Sequence, residues 1–175
     1  AANYPFCTIE PNVGVVPVPD PRFDALVALY KPASVVPASV NFVDIAGLVK
    51  GASKGEGKGN AFLSNIRDAD AVAHVVRCFE DDDVLHVDGR VDPIADIETI
   101  ETELQLKDLE TVQKRRERTE RAAKSGDAKL KVELALLDKL LARLDEGKPA
   151  RCDDEDVMAL AKELGLISAK PLFYI

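Results

Sequence analysis

The chain has 175 residues, of which 46% are hydrophobic and 31% are charged, a composition typical of a globular domain with a buried core. Its 23 Lys and Arg residues stand against 31 Asp and Glu residues, and the resulting net charge of −8 argues against a uniformly basic nucleic-acid-binding domain. Aromatic residues make up only 5% and Trp is absent, so few side chains could form base-stacking platforms.

The three cysteines are odd in number and widely spaced, at Cys7, Cys78 and Cys152, with no Cys-x-x-Cys pair. This pattern argues against a disulfide scaffold or a zinc cluster and favours the reducing cytoplasm. No apolar run approaches the roughly 20 residues of a membrane helix and no signal-peptide pattern opens the chain, so no membrane partner is expected. Because the chain starts without Met and stops inside a predicted strand, we expect an internal piece of a longer protein.

Residues 1–92 alternate short β-branched runs with amphipathic segments, which predicts an α/β domain with a mostly parallel sheet. The predicted strands lie at 8–18, at 40–43, where we expect a buried strand, and at 71–76. The predicted helices lie at 22–30, introduced by Asp20 and Pro21, and at 59–70.

Residues 96–146 have a different character, because charged side chains make up almost half of them and Pro is absent. Leucines spaced by four and three residues form a coiled-coil seam, at Leu130, Leu134, Leu137, Leu141 and Leu144, and a matching seam begins upstream at Ile97, Ile100 and Leu104. Ser125, Gly126 and Asp127 supply a break and an N-cap between the two. The pattern predicts an antiparallel helical coiled-coil insertion over 93–168, which ends with a short helix at 153–164, and a return strand over 169–175.

The most specific segment is DIAGLVKGASKGEGKGN at 44–60, directly after a predicted strand. Asp-x-x-Gly at a strand end is the phosphate-sensing element of P-loop nucleotidases, in which the Asp holds Mg²⁺ through water and the Gly amide reaches the γ-phosphate. Asp44 and Gly47 occupy these positions, and the further glycines favour a mobile loop over an ordinary turn.

Thr8 lies 36 positions upstream of Asp44, where switch I of such proteins presents its Mg²⁺-ligating hydroxyl. The alternative is that Thr8 is one more β-branched strand residue. The segment that ends at Gly14 is not a phosphate-binding loop, because Val15 and Val16 stand where a Lys and a hydroxyl residue would be required. No G-x-x-x-x-G-K-[ST] occurs elsewhere in the sequence.

Three segments together resemble the Obg-like ATPases of the YchF subfamily, which are P-loop NTPases related to translation factors: NYPFCTIEPNVGVVPVPDPR, NFVDIAGLVKGASKGEGKGN and HVVRCFEDDDVLHVDGRVDPIADIE. The resemblance runs along the whole chain and implies a Ras-like nucleotide-binding domain, incomplete at both ends, with a coiled-coil insertion. It also implies slow hydrolysis of ATP or GTP with Mg²⁺ and association with ribosomes in the cytoplasm, with no DNA partner. The family's phosphate-binding loop and base-reading Asn-x-x-Glu motif fall outside the sequence, so base preference rests on the resemblance alone.

Leu48 stands where Ras-like enzymes carry the Gln that orients the attacking water. We therefore expect slow hydrolysis unless another group, a partner or a monovalent cation compensates. His86, in a polar loop, is a candidate for positioning that water, and the alternative is an exposed His without a role. His74 is expected in the core or at the sheet edge, since the residues around it are apolar.

Six basic residues against two acidic ones give residues 114–124, near the predicted hairpin tip, a net charge of +4. The six are Lys114, Arg115, Arg116, Arg118, Arg121 and Lys124. This stretch is either a solvated helix face or a contact with ribosomal RNA phosphates. The sequence thus supports two functions, a nucleotide-dependent switch or a helical-hairpin adaptor that binds the ribosome or protein partners with nucleotide only as a regulator.

Overall fold

The structure is a computed structural model that describes residues 12–45, 59–81, 83–84, 89–124 and 126–175. The chain divides into two compact units, of which one holds the described residues 12–45 and the other holds those from 59 onward. None of the helices in these described ranges is long and apolar enough to cross a membrane.

The first unit is a two-stranded ribbon with one helix. It contains β1 (Asn12–Pro17), α1 (Pro21–Tyr30) and β2 (Ser39–Asp44). Asp20 caps α1 by accepting a hydrogen bond from the backbone N of Arg22 at 2.9 Å, and Pro21 occupies the first turn, where its missing N–H costs nothing. The start predicted for this helix is therefore confirmed.

The strands β1 and β2 pair antiparallel, with Asn12 opposite Asp44 and Pro17 opposite Ser39, which differs from the parallel pairing expected between neighbouring strands. The reason lies after α1, because residues 31–38 return the chain to the end where β1 finished. There the backbone N of Val18 donates to the carbonyl of Ala38 at 2.8 Å. A parallel pair would need a crossover that returns the chain to the start of β1, whereas β2 begins beside the end of β1, with Ser39 opposite Pro17.

The prediction that 40–43 is a buried strand is wrong. All six residues of β2 are exposed, and Phe42 retains 56% of its accessible surface. An apolar run predicts burial only where another layer covers the strand, and among the described residues neither face of this ribbon is covered.

The second unit contains six elements. These are α2 (Gly59–Asp68), β3 (Val72–His74), α3 (Pro93–Ala123), α4 (Ala128–Asp145), α5 (Glu155–Glu163) and β4 (Leu172–Tyr174). β3 and β4 pair in parallel, with Val72 opposite Leu172 and His74 opposite Tyr174.

The helices α3 and α4 pack along each other, joined by a short connection that ends in the N-cap Asp127. The Asp127 carboxylate accepts from the backbone N of Lys129 at 2.8 Å, so the predicted cap is confirmed. Ion pairs from Arg115 to Glu133 and from Arg116 to Asp138 show that the two helices run antiparallel about this connection.

The core of this unit is wider than a two-helix seam. Leu137 and Leu144 are buried as predicted, but Leu140 is also completely buried although it lies off the predicted seam. It packs in one cluster with Val157 and Leu160 of α5, which cover the side of α4 that a two-helix hairpin would leave in solvent.

Candidate nucleotide and partner sites

Asp44 ends β2 with an exposed side chain. Its carboxylate makes no ion pair or side-chain hydrogen bond with any residue that the structure describes. The other residues predicted for the nucleotide site, Thr8, Gly47 and His86, lie outside the described residues, as does Leu48. An exposed and unpaired carboxylate at a strand end is available to a hydrated cation.

The basic stretch at the tip of the α3–α4 pair is largely neutralised by its own helices. Arg115 Nε lies 2.6 Å from Glu133 Oε1, and its Nη2 lies 3.3 Å from Glu163. Arg116 bonds to Asp138 at 2.6 Å and to Glu120 at 3.1 Å. The carboxylates of Glu133 and Asp138 raise the pKa of Arg115 and Arg116 respectively, chiefly through side-chain hydrogen bonds.

Two further cations of the predicted patch are also paired, Lys114 with Glu110 and Arg121 with Glu117. Arg118 and Lys124 are exposed and make no ion pair within the described part of the chain. The first turn of α4 adds two more exposed and unpaired cations, Lys129 and Lys131, under the same limit.

The free positive charge of the tip therefore comes from both helices and the turn between them. Sequence reasoning missed Lys129 and Lys131 because it stopped at the helix break. The spacing of the acidic residues was the available signal. Acids at i, i+4 and on the facing helix supply partners for most cations of α3, which leaves the lysines after the turn as further free charges.

Asp108 is a buried carboxylate that sequence reasoning also missed. Its oxygens accept hydrogen bonds from the backbone N of Ile167 at 2.8 Å, and from the backbone N and Oγ of Ser168 at 2.7 and 2.6 Å. Burial raises the pKa of Asp108, and these hydrogen bonds oppose that rise. Its spacing of four from buried Leu104 and Val112 was the available signal, because it places an acid on the buried face of α3.

His74 and Tyr174 end the paired strands β3 and β4, and their ring centroids lie 6.0 Å apart. His74 is half-buried, its Nδ1 has no hydrogen-bond partner among the described residues, and burial lowers its pKa. The hydroxyl of Tyr174 donates to Glu101, whose carboxylate raises the pKa of that phenol. This contact ties the first half of α3 to the end of β4.

Residues 1–121 match the family described as 50S ribosome-binding GTPase, so more than half of the chain is covered. The chain belongs to that family. Membership assigns the chain to the fold class of the P-loop GTPase domain, so the coarse fold class predicted from the sequence is confirmed.

The chain is similar in sequence to curated relatives of the YchF type. Two relatives named ribosome-binding ATPase YchF, from Haemophilus influenzae and Bacillus subtilis, are 53% and 52% identical over the whole chain. Obg-like ATPase 1 of Rattus norvegicus is 50% identical over the whole chain. The chain spans about half the length of these relatives, at 49%, 48% and 46%.

A solved structure of a YchF protein also matches this chain. The YchF GTPase of Schizosaccharomyces pombe superposes with a TM-score of 0.74 at 43% identity, over 99% of this chain and 48% of that one. The resemblance to the YchF-type Obg-like ATPases is therefore confirmed.

Proposed function

We propose that this chain is part of a nucleotide-dependent switch that hydrolyses ATP or GTP slowly with Mg²⁺ on or near the ribosome, in the cytoplasm. The observation that carries the proposal is Asp44, which ends β2 as the first residue of an Asp-x-x-Gly motif inside the matched residues 1–121. The names of the relatives, ribosome-binding ATPase and Obg-like ATPase, support the nucleotide and the ribosome as partners.

Asp44 and Thr8 are the residues that would hold Mg²⁺, Asp44 through a bound water. The exposed and unpaired carboxylate of Asp44 fits that role. Mg²⁺ in nucleotide sites is bound by one or two protein side chains together with the phosphates of the nucleotide. When bound, the ion would supply positive charge to the nucleotide phosphates, and the Gly47 amide would donate a hydrogen bond to the γ-phosphate.

Leu48 leaves the attacking water without the Gln that orients it in Ras-like enzymes. We assign that positioning role to His86, whose imidazole can accept a proton near neutral pH, with a monovalent cation as the other group that could compensate. Slow turnover follows because a single loop side chain replaces a pre-positioned amide.

The proposed domain organisation places the switch segments in residues 1–92, the helical insertion in 93–168 and a return strand in 169–175. Two features support these bounds: α3 begins at Pro93, and β4 lies in parallel beside β3, the last strand before the helices. A parallel pair needs a crossover connection, and α3 to α5 form that connection.

A second candidate function is a helical-hairpin adaptor that binds the ribosome or protein partners, with nucleotide only as a regulator. The free cations at the tip, Arg118, Lys124, Lys129 and Lys131, favour it, because exposed and unpaired charges are the ones that bind RNA phosphates. The two functions are compatible within one protein.

The switch proposal is tested by Asp44→Ala in a protein that joins this chain to a phosphate-binding loop, with Asp24→Ala, an exposed acid of α1, as the matched control. We expect Asp44→Ala to lower Mg²⁺-dependent single-turnover rates by more than about threefold, or about 0.7 kcal/mol, while the control keeps its rate. His86→Ala should lower the rate with little change in nucleotide affinity. An Asp44→Ala rate within threefold of the unmodified protein would remove the switch assignment.

A further inference from the structure

A groove of about 260 Å³ lies between the first half of α3 and the C-terminal end of α4, which we call the hairpin-base groove. Its lining combines three carboxylates with three leucines: Glu98, Glu101, Asp145, Leu106, Leu109 and Leu144. Leu106 remains 43% exposed, so apolar surface is open to solvent beside the acids. Its volume is below the roughly 300 Å³ of pockets that hold drug-sized ligands and suits one or two side chains.

The charge of the hairpin-base groove is uncompensated. No basic side chain lines it, and neither Glu98 nor Asp145 makes an ion pair with any residue that the structure describes. The basic residues nearest in sequence are engaged elsewhere. Lys107 pairs with Glu110 at 2.9 Å and Lys148 with Glu146 at 2.7 Å, and Arg143 donates to the carbonyls of Pro149 and Arg151 at 2.6 and 2.7 Å. Asp145 is also the last residue of α4, where the helix dipole adds negative potential.

We propose that the hairpin-base groove binds a basic, partly apolar segment of a partner protein. A Lys or Arg side chain of that segment lies between the carboxylates of Glu98 and Asp145, and an apolar neighbour packs on Leu106. Nucleic acid is disfavoured because its phosphates would meet three carboxylates. Leucines beside acids match an amphipathic cationic peptide, because a bare metal ion would leave the apolar surface uncovered. Binding here does not depend on nucleotide turnover.

The test measures fluorescence anisotropy of a short fluorescein-labelled peptide of alternating lysine and leucine, titrated with the 175-residue chain. The groove variant is Glu98→Gln with Asp145→Asn. The matched control is Glu80→Gln with Asp153→Asn, which removes the same charge at exposed positions outside the groove. Leu106→Ser tests the apolar half of the site, and thermal unfolding by circular dichroism checks that every variant is folded.

We expect the groove variant to weaken peptide binding at least about tenfold, or about 1.4 kcal/mol, and the control to stay within about twofold. Leu106→Ser should weaken it about threefold, and a peptide of alternating glutamate and leucine should not bind. Equal weakening by the groove variant and its control would show attraction to a generally acidic chain and overturn the proposal. So would a lack of saturable binding by the unmodified chain, or Ca²⁺ or Mg²⁺ binding that the groove variant abolishes.

Discussion

Asp108 joins two segments that lie about sixty positions apart in the chain. Its carboxylate accepts the backbone N–H groups of Ile167 and Ser168 and the hydroxyl of Ser168, and that hydroxyl in turn accepts from the backbone N of Ala150 at 2.9 Å. The Asp108 side chain is completely buried. If its carboxylate were removed, each of these donors would lose its partner and no water could replace it. One acid thus holds the segment before β4 against α3.

We predict that Asp108→Asn lowers the free energy of unfolding by about 2–3 kcal/mol, because the amide NH₂ cannot accept from donors that face both carboxylate oxygens. Urea unfolding followed by circular dichroism measures the change. The control is Asp138→Asn, which breaks an exposed pair with Arg116 and should cost less than about 1 kcal/mol. If Asp108→Asn costs no more than this control, the three hydrogen bonds do not stabilise the fold.

Between elements, two arginines of α3 form ion pairs with acids of α4. Arg115 and Arg116 reach across to α4, and Glu133 also accepts a hydrogen bond from the buried Thr119 at 3.0 Å. Pairing fixes the register of the two helices and removes these cations from the surface charge that a partner would meet. The cations left free lie around the turn that joins the helices.

We predict that Arg118→Gln with Lys124→Gln weakens binding to a ribosomal RNA fragment several-fold and lowers the slope of log K against log salt by about 2, one for each cation removed. The matched control is Lys114→Gln with Arg116→Gln, which removes the same charge from residues already paired within the helices. Filter binding at several salt concentrations measures both. Equal slopes for the two variants would contradict the prediction, because they would show that paired and unpaired cations contribute equally to RNA binding.

Of the two phosphate-binding motifs typical of P-loop nucleotidases, the 175-residue sequence contains one. The Asp-x-x-Gly of a P-loop GTPase is present at Asp44 and Gly47, whereas no G-x-x-x-x-G-K-[ST] occurs among the 175 residues. The amide cradle and the Lys of that loop supply most of the recognition of the triphosphate. The residues that we propose as the γ-phosphate sensor thus occur in a sequence that contains no such loop motif.

We predict that the 175-residue chain by itself shows no saturable binding of a fluorescent ATP analogue at micromolar protein, with or without Mg²⁺. A protein that joins the chain to a phosphate-binding loop serves as the positive control in the same titration. Micromolar or tighter binding by the chain alone would show that recognition of the nucleotide does not require that loop.

Features that depend on residues close together in the chain were predictable from the amino-acid sequence. Pro21 begins α1 and Asp127 caps α4 as predicted, because both signals act within the first turn of their own helix. The same holds for the helical periodicity of α3 and α4. It also holds for the motifs that carry the family resemblance, because each consists of residues close together in the sequence. Of the predicted nucleotide site, only Asp44 lies among the described residues, and the roles of Thr8, Gly47 and His86 stay predictions.

Features that depend on residues far apart in the chain could be described only from the folded structure. The antiparallel pairing of β1 with β2 follows from the path of residues 31–38, and the burial of Leu140 follows from α5 packing on α4. The carboxylates that bind Arg115 lie 18 and 48 positions away, and the Asp108 bonds span about 60. Composition and periodicity contain no information on such partners, because distant segments meet only once the chain has folded.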